Sequence, residues 1–199
     1  LLDVHPGLVF PVLAAAALGF YLAGVRRMSA SGRPWPRLRI LAWSTGWALV
    51  LFVTGSGLAR YGGVLASVHV FQQFTLSLAA PLLMVLARPG ALAMNALVPT
   101  TGKNLRGPRE WLVALFGHPV MRAALHPLVA LPIYMVVNYS VYVSGLYGWL
   151  LRSEIADVVF FSLFLLSGTL FLRALLGSAG PDTAAAPGLP VVTAALAAW

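Results

Sequence analysis

Five apolar stretches, each long enough to cross a bilayer, dominate the sequence. They run from about 7–25, 40–58, 64–87, 126–147 and 156–176, and a sixth apolar run opens at Leu189. Spanning the hydrocarbon takes roughly 20 apolar residues in a helix, because unpaired backbone groups are too costly in lipid for any open structure. Full charges are absent from the middles of these stretches. The expectation is an all-α polytopic transmembrane helix bundle: five full spans, a partial sixth, and essentially no soluble domain. Only 9% of the residues are charged, against roughly 25% in a water-soluble domain, so this chain could not cover its surface in water.

Basic residues set the expected orientation. The loop 26–39 holds Arg26, Arg27, Arg33, Arg37 and Arg39, and the segment 88–125 holds Arg88, Lys103, Arg106, Arg109 and Arg122. With Arg173 they put eleven of thirteen basic residues on one side, leaving Arg60 and Arg152 on the other. The positive-inside rule then places the N-terminus outside and both long loops in the cytoplasm. The formal net charge of +8 therefore reads as topology signal and lipid contact, not as a nucleic-acid surface. The whole of 1–199 is expected to form one transmembrane domain of a longer chain, since the run from Leu189 stops at Trp199, short of a span. Within 88–125, Trp111, Leu112, Leu115 and Phe116 follow Pro108-Arg109-Glu110 at helical spacing. They predict an amphipathic helix on the inner membrane surface.

Small residues four apart suggest close helix seams: Ala15, Gly19 and Ala23; Ala42 and Gly46; Ser140 and Ser144. Polar residues within the spans are fewer and more informative. His69, Gln72 and Gln73 share one helical face, which Ser77 and Pro81 continue. The face admits two readings, a metal contact through His69 or interhelical hydrogen bonding. Tyr134, Asn138 and Tyr142 form a second stripe at four-residue spacing, with Asn138 expected to face the bundle. His5 and Asp3 lie on the same side as His69, and His5 is the second candidate metal ligand. His118 and His126, each before a Pro, read as interface anchors. The chain has no cysteine, which removes thiolate sites and thiol nucleophiles. With no nucleophile–base pair in view, an enzyme is not expected.

The order YLAGVRR, RLRILAW and LASVHVFQQFTLSLAAPLLMVLARPGALAMNAL, followed by HPLVALPIYMVVNYSVYVSGLY and FLLSGTLFLRALLG, resembles the bacterial CtaG family of cytochrome c oxidase assembly factors. His69, Gln72, Pro81-Leu82-Leu83 and Pro89 match the family's third-helix motif. The resemblance implies a multi-pass protein of the bacterial cytoplasmic (inner) membrane, with the lipid bilayer and oxidase subunits as partners and copper delivery as its role. Some relatives carry a second copper-related membrane domain. Gln73 stands where the motif has its second His, and Phe161 and Leu163 stand approximately where the family has a further His-rich run. One imidazole beside Gln is a poor Cu(I) set, so a reduced or lost copper site is expected. The alternative is a fragment of a permease for a small solute or metal, which would need a continuous polar path through the bundle.

Overall fold

The computed structural model describes residues 8–55, 66–97, 107–143 and 154–177. His5, Arg60, Lys103, Arg106, Arg152 and the run from Leu189 lie outside the described residues. Helix α1 is Val9–Ala30 and α2 is Arg37–Gly55. The third apolar stretch comprises α3 (Ala66–Phe74), one π-helical turn (Thr75–Ala79) and α4 (Ala80–Leu86). Four shorter or longer helices follow: α5 (Pro89–Ala96), α6 (Pro108–Gly117), α7 (Pro119–Ala124) and α8 (Pro127–Val143). The last described helix is α9 (Glu154–Gly177).

Of the five full spans expected, four are recovered among the described residues. Four helical stretches are long and apolar enough to cross a membrane, namely Val9–Ala30, Arg37–Gly55, Ser67–Ala96 and Ile155–Leu176. The fourth expected span appears as α8, which is apolar but only 17 residues long within the described range. Boundaries shift too. Arg26 and Arg27 belong to the last turns of α1 rather than to a loop, and the first part of 88–125 is helix α5.

The α3–π–α4 rod is the centre of the bundle, packed by α2 on one side and α9 on the other. Its burial exceeds that of the other spans, as expected of an element enclosed by helices rather than by lipid. A first core joins Phe10 and Ala14 of α1, Trp47, Val50 and Val53 of α2, Leu76, Ala80 and Met84 of the rod, and Phe160, Phe161 and Phe164 of α9. Pro81 accounts for the π turn. A proline has no N–H and its ring crowds the carbonyl four residues back, here that of Ser77. The wider turn, in which Ala80 N–H donates to Thr75 O, makes room for the ring.

Two of the expected seams have different fates. Gly46 is buried, with Met84 and the Ala80 carbonyl 3.1 and 3.3 Å from where its Cβ would stand. The Ala15–Gly19–Ala23 face, by contrast, is exposed, and nothing lies within 4 Å of a Cβ at Gly19. Bulky Phe10 and Tyr21, with Ala14 and Met28, form the buried face of α1 instead. Spacing identifies a small-residue face but cannot say which neighbour meets it.

At the arginine-rich end the rod turns a corner at Arg88, the only non-glycine residue with positive φ among those described (φ 50°, ψ 54°). From there α5 folds back on α1, with Leu92 3.2 Å from the position of a Gly24 Cβ. The corner is held by a buried relay. Trp35 Nε1–H donates to Tyr21 Oη (2.9 Å), and Tyr21 O–H donates to the Ala87 carbonyl (2.9 Å). Tyr21 also stacks on Trp43 at 5.1 Å. Tyr21→Phe keeps the stacking but strands a buried indole N–H and a buried carbonyl. It is expected to cost about 1–3 kcal/mol, read as a lower midpoint in denaturant unfolding of the detergent-solubilised chain. An unchanged midpoint would show that the relay contributes nothing net.

Candidate functional site

Helix α3 and the π turn that follows it gather most of the buried polar side chains among the described residues. His69, Gln72 and Gln73 are 3%, 1% and 7% exposed, followed by Thr75 and Ser77, also buried. Three and four residues of helix separate 69, 72 and 73, so one face carries all three side chains into the space between α2, α8 and α9.

The two glutamines are committed to neighbouring helices. Gln72 Nε2–H donates to the Val53 carbonyl of α2 at 3.0 Å. Gln73 Nε2–H donates to both the backbone carbonyl of Asn138 (2.9 Å) and its Oδ1 (3.1 Å), while Gln73 Oε1 accepts from the Tyr142 hydroxyl at 2.5 Å. Asn138 Nδ2–H donates to Tyr134 O one turn back. One glutamine thus ties the central rod to α8 through three contacts. Tyr142 reaches in from the surface, with its ring half-exposed, whereas Tyr134 stacks on Phe171 of α9 at 4.8 Å. Of the candidate residues, the structure brings Gln73, Asn138 and Tyr142 into one hydrogen-bonded group, sends Gln72 to α2, and places His69 one turn earlier on the same face.

Whether this set suits Cu(I) is a matter of donors. His69 supplies one imidazole. Both neighbouring amides are engaged in helix-to-helix hydrogen bonds, and an amide is a hard donor that Cu(I) does not favour. Among the described residues no three His or carboxylate side chains converge. Met84, the buried methionine of the rod, lies fifteen residues further along, beside Gly46. The described donors do not make a Cu(I) site, and no chemistry is routed through a metal here.

His118 and His126 have local duties. Each stands just before the Pro that starts a helix, and its Nδ1 accepts the N–H two residues on, Val120 and Leu128 respectively, at 3.3 Å. Proline at the first helical position with a side-chain acceptor before it is a helix start. Only the His-Pro dipeptides signalled this in the sequence.

The polar face also has a visible end. The hydroxyls of Thr75, Ser167 and Thr169 bond back to carbonyls of their own helices. Beyond Ser77 the rod buries Ala80, Pro81 and Met84. Among the described residues the polar side chains therefore stop partway, and nothing there favours the permease alternative.

At the other end, α6 divides the predicted apolar stripe between two surfaces. Leu112 and Phe116 are half-buried, and the Arg173 guanidinium lies 4.6 Å over the Phe116 ring. Trp111 and Leu115 stay exposed, at 63% and 51%.

Residues 19–198 match the profile of a family described as "Cytochrome c oxidase caa3 assembly factor (Caa3_CtaG)". The chain is also similar to uncharacterized proteins of Mycobacterium bovis and Mycobacterium tuberculosis, each 34% identical over 169 residues, which is 84% of this chain and 26% of the relative. A similar protein of Mycobacterium leprae is 35% identical over 164 residues, 82% of this chain and 25% of the relative. The chain thus spans about a quarter of the length of these curated relatives. No solved structure matches.

Proposed function

The chain belongs to the CtaG family of cytochrome c oxidase caa3 assembly factors, and from that premise we propose that it is an accessory factor binding an oxidase or its assembly intermediates within the bacterial cytoplasmic membrane. The observation that carries the reading is the family match across nearly the whole chain, on a bundle of apolar helices. The role is one of binding rather than catalysis. The N-terminus faces outward and the arginine-rich end faces the cytoplasm, with Trp111 and Leu115 seated in the inner lipid surface. His69, Gln72 and Gln73 then lie towards the outer side.

In this reading the copper function is reduced or absent. His69 is the one residue of the described set suited to touch copper, with His5 as its nearest candidate companion in the sequence. Gln73, at the motif's second His position, serves as a clamp between helices. An anaerobic Cu(I) competition titration of the purified chain tests the point, beside His69→Ala and His5→Ala. The expected result is equal, weak binding by all three. Tight stoichiometric binding lost in His69→Ala would restore a copper-delivery role. The assembly role itself is tested separately, by cross-linking in intact membranes and by oxidase haem spectra of cells lacking the protein. Recovery of oxidase subunits and a depleted haem signal are expected; failure of both would end the assembly reading.

A further inference from the structure

The last turns of α1 and α5 border a cavity of about 230 Å³. Arg27, Met28, Ser31 and Arg33 line it from the α1 side, and Asn95 and Ala96 line it from α5. Pockets for a whole small molecule run to roughly 300–1,000 Å³, so this one has the size of a single head group.

Backbone chemistry explains why two arginines share it. Gly32 has φ 71°, the left-handed conformation that ends a helix in a Schellman turn. The chain doubles back there, so that Arg33 N–H donates to the Met28 carbonyl at 3.1 Å and Gly32 N–H to the Ser29 carbonyl at 3.0 Å. Ser31 closes the turn from the other side: its N–H and its hydroxyl both donate to the Arg27 carbonyl, at 3.2 and 3.0 Å. Arg33 is thereby pinned against the turn that carries Arg27. Leu92, 3.2 Å from where a Gly24 Cβ would stand, holds α5 alongside, and Ala96 packs on the core cluster that contains Met28.

The described carboxylates, Glu110, Glu154 and Asp157, do not line the cavity. Two helix C-termini oppose the arginines instead, each equivalent to about half a negative charge. Two arginines against two helix ends leave about one positive charge. That balance suits a phosphodiester better than a more highly charged free phosphate. The outer face of α1 accommodates the rest of such a ligand. Positions 16, 20, 23 and 27 share one side of the helix, and Ala16, Phe20 and Ala23 are all exposed, Phe20 at 81%. A hydrocarbon tail descending from a head group at Arg27 covers Phe20.

We propose that this cavity is a discrete site for the phosphodiester of an anionic membrane phospholipid, held by Arg27 and Arg33, with an acyl chain along the Phe20 side of α1. The site is independent of the assembly role and of which end of the bundle faces the cytoplasm. Guanidinium groups meet phosphate oxygens through paired N–H donors, and each arginine facing anionic lipid contributes about a fivefold gain in affinity. A zwitterionic head group carries its own cation, which offsets that attraction.

The test uses the full chain exchanged into vesicles of phosphatidylglycerol mixed with phosphatidylcholine, with co-purifying lipid counted by native mass spectrometry. The wild type is expected to retain phosphatidylglycerol preferentially. Arg27→Gln and Arg33→Gln alter exposed side chains, so both variants fold, and each should weaken retention about fivefold. Arg26→Gln removes the neighbouring exposed arginine, which does not line the cavity, and should leave retention within twofold. Unchanged retention in either cavity variant would overturn the proposal. So would an equal loss in Arg26→Gln, which means diffuse attraction to the basic end. Displacement of the lipid by inorganic phosphate at matching concentration would also overturn it, by making the site one for a free anion.

Discussion

Gly168→Ala is expected to prevent the bundle from closing, at a cost above about 3 kcal/mol. A Cβ at this position of α9 would overlap the Ser77 carbonyl oxygen and stand 2.7 Å from its carbon and 3.0 Å from Pro81 Cγ. Two of those atoms are backbone and the third belongs to a rigid ring, so no side-chain rotation relieves the overlap. The same carbonyl is the one that Pro81 leaves without its usual helical donor. Only a glycine face lets α9 approach it, where Cα–H groups supply weak compensation. Denaturant unfolding in mixed micelles, followed by the near-ultraviolet signal of the tryptophans, provides the measurement. Gly19→Ala is the control, because nothing lies within 4 Å of its added methyl and an interior helical Gly→Ala change gains about 0.5–1 kcal/mol. A Gly168→Ala midpoint close to wild type would show that α9 does not pack on the π turn as described.

Gln73→Leu should also be damaging, at about 1–2 kcal/mol. Interhelical hydrogen bonds in membranes average only about 0.6 kcal/mol, but this side chain makes three contacts and its loss strands the Tyr142 hydroxyl and Asn138 Oδ1. Tyr142→Phe alone removes one contact and should cost less than half as much. The double variant should cost less than the sum of the two singles, because both delete the same 2.5 Å hydrogen bond. Strict additivity would mean that Gln73 and Tyr142 do not meet in the membrane. Should Gln73→Leu instead abolish Cu(I) binding in the titration above, the clamp reading would give way to a ligand role.

Much of the architecture is legible in the sequence for a simple reason. In lipid the backbone must satisfy itself, so apolar length alone announces a helix. The stretches around α1, α2, α3–α4 and α9 follow directly. The fourth stretch also announces itself, though α8 is shorter within the described residues than the 22 positions of 126–147 suggested. Spacing likewise placed His69, Gln72 and Gln73 on one face of the rod, and put Asn138 and Tyr142 on one face of α8. Resemblance to the CtaG family, visible in His69, Gln72, Pro81 and Pro89, agrees with the match over residues 19–198.

Other features depend on which helix meets which. Periodicity is a property of one helix, whereas a hydrogen bond between helices depends on relative rotation and depth. The two adjacent glutamines look equivalent in the sequence, yet one bonds to α2 and the other to α8. Ala15, Gly19 and Ala23 have the spacing of a seam but face outward, while Gly168, without a small partner four residues away on either side, makes the tightest approach described. Nothing local marks Arg88 as a left-handed corner, since a residue before proline is ordinarily extended. The carbonyl just before that corner, of Ala87, is bonded by Tyr21, 66 residues earlier in the chain. Helix formation in a membrane is a local necessity and can be read along the chain; helix assembly rests on contacts of small individual energy between distant segments, and only the tertiary structure specifies them.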